Sequence, residues 1–243
     1  MQDRYAFDVG DYGKLGLLRH LVAETGLALG VLWWMTALGS AGSDGKHLAY
    51  LSDRRFRHCD PWLWDQMAVL VAKGRCVTAL EPLLPSGTKF HRAPVPALAD
   101  RGAWLNQGLL DITEPARSGL LFCDPDNGVE FGPTCSSRRH VGMDELATLW
   151  HSGNSLVLYH HLNRRIAHRD QVDRGLLRFE AELPGLAHAW GARFRRGSSR
   201  VFFVLAQPDH SGRIERAMSF LTEENPWVRG RHFTVRHLLE SQK

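Results

Sequence analysis

The sequence predicts an α/β fold: a Rossmann-like, doubly wound, mostly parallel sheet with helices on both faces. Two observations lead to it. Short apolar runs alternate with longer amphipathic stretches along the whole chain, and strands alternating with helices imply a parallel sheet covered on both sides. One of the runs, Gly119–Cys123 (GLLFC), is apolar at four of its five positions, as a strand buried on both faces must be. No repeat, low-complexity run or linker interrupts the pattern, so residues 1–243 read as a single domain.

The elements follow in order. Leu15–Glu24 has the apolar spacing of a helix, and Leu29–Met35 (LGVLWWM) reads as a buried strand. Asp60-Pro61 opens a helical pattern over Trp62–Lys73, with proline suited to the first turn. Cys76–Leu80 (CVTAL) reads as a strand closed by Glu81-Pro82, and Gly102–Leu110 as a helix. After the GLLFC strand come a helix at Met143–His151, a strand at Ser155–Tyr159 and a helix at Gln171–Leu183. The chain closes with a strand at Arg200–Ala206, a helix at Ile214–Leu221, and a last stretch, Phe233–Leu239, compatible with either state.

Composition narrows the classes. Hydrophobic residues make up 44% and charged residues 23% of the 243, a globular balance that argues against disorder. No window of about 18 uncharged apolar residues appears, so no membrane span is expected. The opening MQDRYAFDVGD does not read as a secretory leader, and Cys59, Cys76, Cys123 and Cys135 form no CxxC pair. Both point to a cytoplasmic protein with reduced thiols, without a cysteine-built zinc site. The net charge is +4. Arginines cluster at Arg54/Arg55/Arg57, Arg138/Arg139, Arg164/Arg165/Arg169, Arg193/Arg195/Arg196/Arg200 and Arg229/Arg231. The planar guanidinium fork suits phosphate, so nucleic acid is the expected partner; an arginine-rich solvated surface is the plainer alternative.

In a parallel α/β sheet, ligands bind outside the carboxyl ends of the strands. Four segments fall there. The strongest is Asp124-Pro125-Asp126-Asn127-Gly128-Val129-Glu130, which places three carboxylates directly after a central strand. One can serve as a base, or two can hold a divalent cation, though the same residues also favour a plain turn. The second is Tyr159-His160-His161, where neighbours on a strand face opposite ways, so one histidine at most meets a shared site. The third is the loop Gly39-Ser40-Ala41-Gly42-Ser43-Asp44-Gly45-Lys46, which has neither P-loop nor GxGxxG spacing. The fourth precedes the first helix: Phe7-Asp8-Val9-Gly10-Asp11-Tyr12-Gly13-Lys14, either a ligand-binding segment or a helix cap.

Taken in order, FDVGDYGKLGLLRHL, VLWWMTALGSAG, TALEP, LLFCDPDNG and the late GSSRVFFVLAQPDHSGRIERAMSFL resemble S-adenosylmethionine-dependent methyltransferases of the adenine-N6 type. The layout is similar to the ribosomal-RNA adenine methyltransferase J family. The resemblance implies a methyl transfer to an amino group of a base in nucleic acid. It implies S-adenosylmethionine held by Gly10, Lys14, Thr36, Gly39, Ser40 and Gly42, with Glu81 on the ribose. It implies catalysis by Asp124, Pro125, Asp126 and Asn127, joined by His160. Two departures stand out: Asp126 and Asn127 replace a second proline and an aromatic, and Met35-Thr36 stands where the cofactor strand would end in an acidic residue. The missing ring removes a stacking contact of about 1–3 kcal/mol per base. Two other functions compete. One is a phosphodiester- or nucleotide-processing enzyme using Mg or Mn held by Asp124, Asp126 and Glu130 with His160 or His161. The other is a non-catalytic nucleic-acid or protein-binding module on the same fold.

Overall fold

The structure, a computed structural model, describes residues 1–36, 47–113, 118–133, 135–223 and 225–238. The predicted loop residues Gly39, Ser40 and Gly42 lie outside the described residues. The chain runs α1 (Val9–Thr25), β1 (Leu29–Leu32), α2 (Arg54–Arg57), α3 (Pro61–Val71), β2 (Lys89–His91), α4 (Arg101–Ile112), β3 (Leu120–Cys123), β4 (Gly128–Glu130), β5 (His140–Gly142), α5 (Met143–His151), β6 (Ser155–His161), α6 (His168–Glu182), β7 (His188–Phe194), β8 (Arg200–Ala206), α7 (Ser211–Glu223), α8 (Pro226–Arg229) and β9 (Phe233–His237).

Seven of these strands form one mixed sheet in the order β2-β1-β3-β6-β8-β7-β9, while β4 and β5 pair separately. The first four are mutually parallel, and the pairings β6–β8, β8–β7 and β7–β9 are antiparallel. The sheet therefore has more antiparallel pairing than the sequence pattern implied. The reason is the tight β7–β8 connection of Arg195–Ser199, too short to carry a crossover helix.

Alternation along the strands feeds two cores. Leu120 and Phe122 of β3 face one cluster with α1, α3 and α7, whereas Leu121 and Cys123 face the other with α4, α5 and α6. Helices thus cover both faces. The first helix begins six residues earlier than its apolar spacing suggests, because the Asp8 carboxylate accepts from the amides of Gly10 (2.7 Å) and Asp11 (3.1 Å) and caps it. The helix opened by Asp60-Pro61 starts at Pro61, and Asp60 caps it by accepting from Leu63 N at 2.9 Å.

One predicted strand is absent. Val77–Leu83 is a 3₁₀ helix, and the edge strand is Lys89–His91. The buried residues Val77, Leu80 and Leu83 recur every third position, which is the 3₁₀ period, and Pro82 removes a ladder donor. Strand β7 had no expectation attached to its sequence, and the ambiguous last stretch is a strand at Phe233–His237. No helix among the described residues is long and apolar enough to cross a membrane.

Candidate active site at the carboxyl edge of the sheet

β1 and β3 are neighbours, but the chain leaves β1 toward β2 and leaves β3 toward β6, on opposite sides. A crevice must open at the carboxyl ends where the winding reverses. A cavity of about 540 Å³ lies there. Its floor holds Asp8, Asp11, Lys14 and Asp124, with Arg200 and Tyr159 beside them.

Lys14 organises the floor. Its Nζ lies 2.7 Å from Asp11 Oδ1 and 2.6 Å from Asp124 Oδ2, and all three side chains are buried. Burial alone would lower the lysine pKa, but the two carboxylates outweigh it and hold the value well above the ordinary one. Burial pushes the Asp11 carboxyl up to about 6 despite the neighbouring ammonium. Its second oxygen, Oδ2, is buried and has no partner. Asp124 lines the cavity, and its Oδ2 is taken by Lys14.

Arg200 enters from the first residue of β8. Its guanidinium lies 3.6 Å from Asp8 and donates to Ser198 Oγ at 2.7 Å. It passes directly over Gly10: a Cβ there would stand 0.9 Å from Nη1. Glycine at position 10 therefore leaves the space through which an arginine 190 residues away in sequence reaches the floor.

The segment after β3 forms the next wall. Asp126 accepts from Thr36 Oγ1 (2.6 Å) and Gln2 Nε2 (2.9 Å), and its Oδ1 lies 2.8 Å from the Met1 nitrogen. Burial raises the Asp126 carboxyl, but the Met1 charge and these donors outweigh it and hold it below the usual range. The Met1 nitrogen also donates to the carbonyls of Trp34 and Asp124. Pro125 and Asn127 complete this wall. Gly128 has φ +100°, and a Cβ on it would meet His160 Cα at 2.5 Å, so the turn needs glycine. Around the mouth stand His47, Arg139, His161 and Arg164.

Of the predicted residues, Lys14, Asp124, Pro125, Asp126 and Asn127 line the cavity, Gly10 backs Arg200, and Thr36 reaches Asp126. Two do not join them. His160 points to the other face of the sheet, where Nδ1 accepts from Val129 N at 3.1 Å and the ring lies against Phe131 and Phe203. Burial pushes its pKa down to about 4. The strand's alternation brings His161 to the cavity instead. Glu81 sits in the 3₁₀ helix, not after a strand, and binds Arg92 (2.5 Å) and Trp33 Nε1 (3.0 Å), away from the cavity lining.

Glu130 is likewise apart, accepting from Ser136 N at 2.9 Å and Ser136 Oγ at 2.7 Å. Among the described residues no three of His, Cys, Asp or Glu are grouped to hold a metal, and the ammonium of Lys14 stands between Asp11 and Asp124. Sequence reasoning named Asp8 and Asp11 only as members of a segment. It named Tyr159 only as a neighbour of the two histidines and Arg200 only within an arginine cluster, and it gave no signal for Ser198. Comparison with protein-family models and with curated proteins finds no match.

Proposed function

We propose that the protein is an S-adenosylmethionine-dependent methyltransferase acting on an amino group of a nucleic-acid base. The observation that carries this reading is the meeting, at the winding reversal of a Rossmann-like sheet, of the N-terminal segment Asp8–Lys14 with the Asp124–Asn127 segment. These are two of the segments that the resemblance assigns to cofactor and catalysis.

The chemistry of the donor set fits the cofactor. The Asp126 carboxylate lines the cavity and is an acceptor suited to an ammonium such as the cofactor's own. The partnerless Asp11 Oδ2 adds an unused acceptor. Glu81 is placed away from any ribose role. When bound, the cofactor supplies an electrophilic methyl group. Lys14 holds Asp124 in place, and Asp124 Oδ1 accepts from the target amino group, orienting its lone pair. Arg139 and Arg164 at the mouth offer charge to the phosphates flanking that base.

Calorimetry with S-adenosylmethionine tests the reading. Saturable binding, weakened in Asp126→Ala, is the expected result, and no heat at millimolar cofactor overturns it. With a methyl-accepting nucleic acid, Asp124→Asn should keep cofactor binding and lose methyl transfer.

A further inference from the structure

We propose that a second cavity, next to the first, binds the phosphodiester backbone of the strand whose base enters the first. The proposal rests on the nucleic-acid part of the reading above and not on the cofactor.

This cavity has a volume of about 690 Å³ and is lined by Arg55, His58, Arg196, Arg229 and His232 around the ring of Phe56. Three arginine clusters that are far apart in the sequence, at 54–57, 193–200 and 229–231, each send a side chain to it. The β7–β8 connection separates the two cavities: Arg196 lines the second, while Gly197 and Ser198 line the first. Consecutive Cα atoms are about 3.8 Å apart, so the two sites share one wall.

Arg196 is the cation that matters most. Its Nε donates to His232 Nδ1 at 3.0 Å, and its Nη2 donates to the Gly230 carbonyl at 3.2 Å. Both acceptors are neutral. Burial, helped by Arg196 itself, pushes the His232 pKa down to about 4, so at neutral pH the ring goes on accepting. The guanidinium fork is thus aimed by its surroundings while its charge is cancelled by none of the described carboxylates. The one carboxylate in the lining, Asp53, is already gripped by Arg55 at 2.7–3.1 Å. A held arginine with uncancelled charge and free donors is suited to phosphate oxygens. The mouth of the first cavity repeats the pattern, since neither Arg139 nor Arg164 forms an ion pair among the described residues.

The test uses the full chain and a fluorescent single strand of about 12 nucleotides, as RNA and as DNA, followed by anisotropy across a salt series. Arg196→Ala should weaken binding about tenfold and lower the salt slope by about 1, and His58→Glu should weaken it in the same direction. S-adenosylmethionine binding should not change in either variant. Unchanged strand affinity and slope in both variants overturn the proposal. So does displacement of the strand by inorganic phosphate or polyglutamate at equal charge concentration, which would mark a simple anion site or an acidic-protein site. If the cofactor fails to bind but the strand still responds to Arg196, the methyltransferase reading falls and this site stands. If the cofactor binds and no strand does, the reverse holds.

Discussion

At the amino edge of the sheet His210 sits between Ser118 Oγ (3.0 Å) and Ser155 Oγ (2.9 Å); at the carboxyl edge Lys14 sits between Asp11 and Asp124. Both are buried polar groups bridging two partners. The amino-edge network is neutral and closed: Ser155 Oγ also accepts from Gln207 N, and Asn154 accepts from Gly119 N at 2.6 Å. No side-chain atom of it is left without a partner. The carboxyl-edge network is charged, keeps an orphaned acceptor on Asp11, and opens onto a cavity. Hydrogen-bond closure with neutral groups serves the fold. Uncompensated charge held beside empty space serves a ligand.

The sharpest way to break the comparison is to remove the bridging cation. Lys14→Met leaves two buried carboxylates facing each other, and losing one member of a buried ion cluster costs about 3–5 kcal/mol. Urea unfolding should register that loss at neutral pH, with part of it recovered in acid as a carboxyl takes up a proton. A stability within error of the parent chain would mean that the cluster is solvated and the site far more open than its burial indicates.

The two edges also predict opposite responses to pH. The Asp11 carboxyl rises from 3.8 in the unfolded chain to about 6 in the folded one, so the folded chain binds that proton more tightly. Its contribution to stability is complete below the unfolded value and is lost as pH rises through about 6. Burial lowers His210 below the ordinary 6.5, so its contribution is complete above 6.5 and is lost as pH falls through the depressed value. Unfolding free energies measured across this range should lose their fall in Asp11→Asn and part of their rise in His210→Asn. A slope that persists unaltered in Asp11→Asn would assign the titration to another group.

How far these edges could be read from sequence follows from the distance over which each residue acts. Asp124 and Asp126 are legible because a continuous apolar run ends immediately before them, and position after a central strand is a local property. Asp60 and Pro61 are legible because a helix start is likewise a local property. Arg200 is not: it reaches the site only because β8 returns antiparallel beside β6 and because Gly10 leaves room for it. His161 was one of two adjacent candidates, and the choice depends on strand register, which a one-residue shift inverts. Glu81 was misplaced because a five-residue apolar segment carries too little periodicity to separate a strand from a 3₁₀ turn.

A smaller effect is expected for Ser155→Ala at the neutral edge. The change leaves the Gln207 amide and one nitrogen of His210 without their partner, and an unsatisfied buried group costs about 1–3 kcal/mol. The melting temperature should fall while the affinity for S-adenosylmethionine stays that of the parent. A loss of cofactor affinity matching that of Asp126→Ala would erase the functional difference between the edges.

The smallest effect on stability belongs to His161→Ala, and its contrast with His160→Ala isolates strand alternation as the cause. His160 supplies the acceptor for Val129 N and fills space between Phe131 and Phe203, so its removal opens a hole and orphans an amide. His161 lies at the cavity mouth with its ring making no side-chain hydrogen bond among those described, and burial together with Arg200 holds its pKa below the ordinary value. Its replacement should stay within about 0.5 kcal/mol of the parent, as surface substitutions generally do. The same variant should weaken binding of a nucleic-acid strand at neutral pH, whereas His160→Ala should lower the melting temperature and leave strand affinity intact. If the two variants exchange these outcomes, the register of β6 at its carboxyl end is shifted by one residue, and the wall of the site formed by Tyr159 and His161 must be rebuilt around His160.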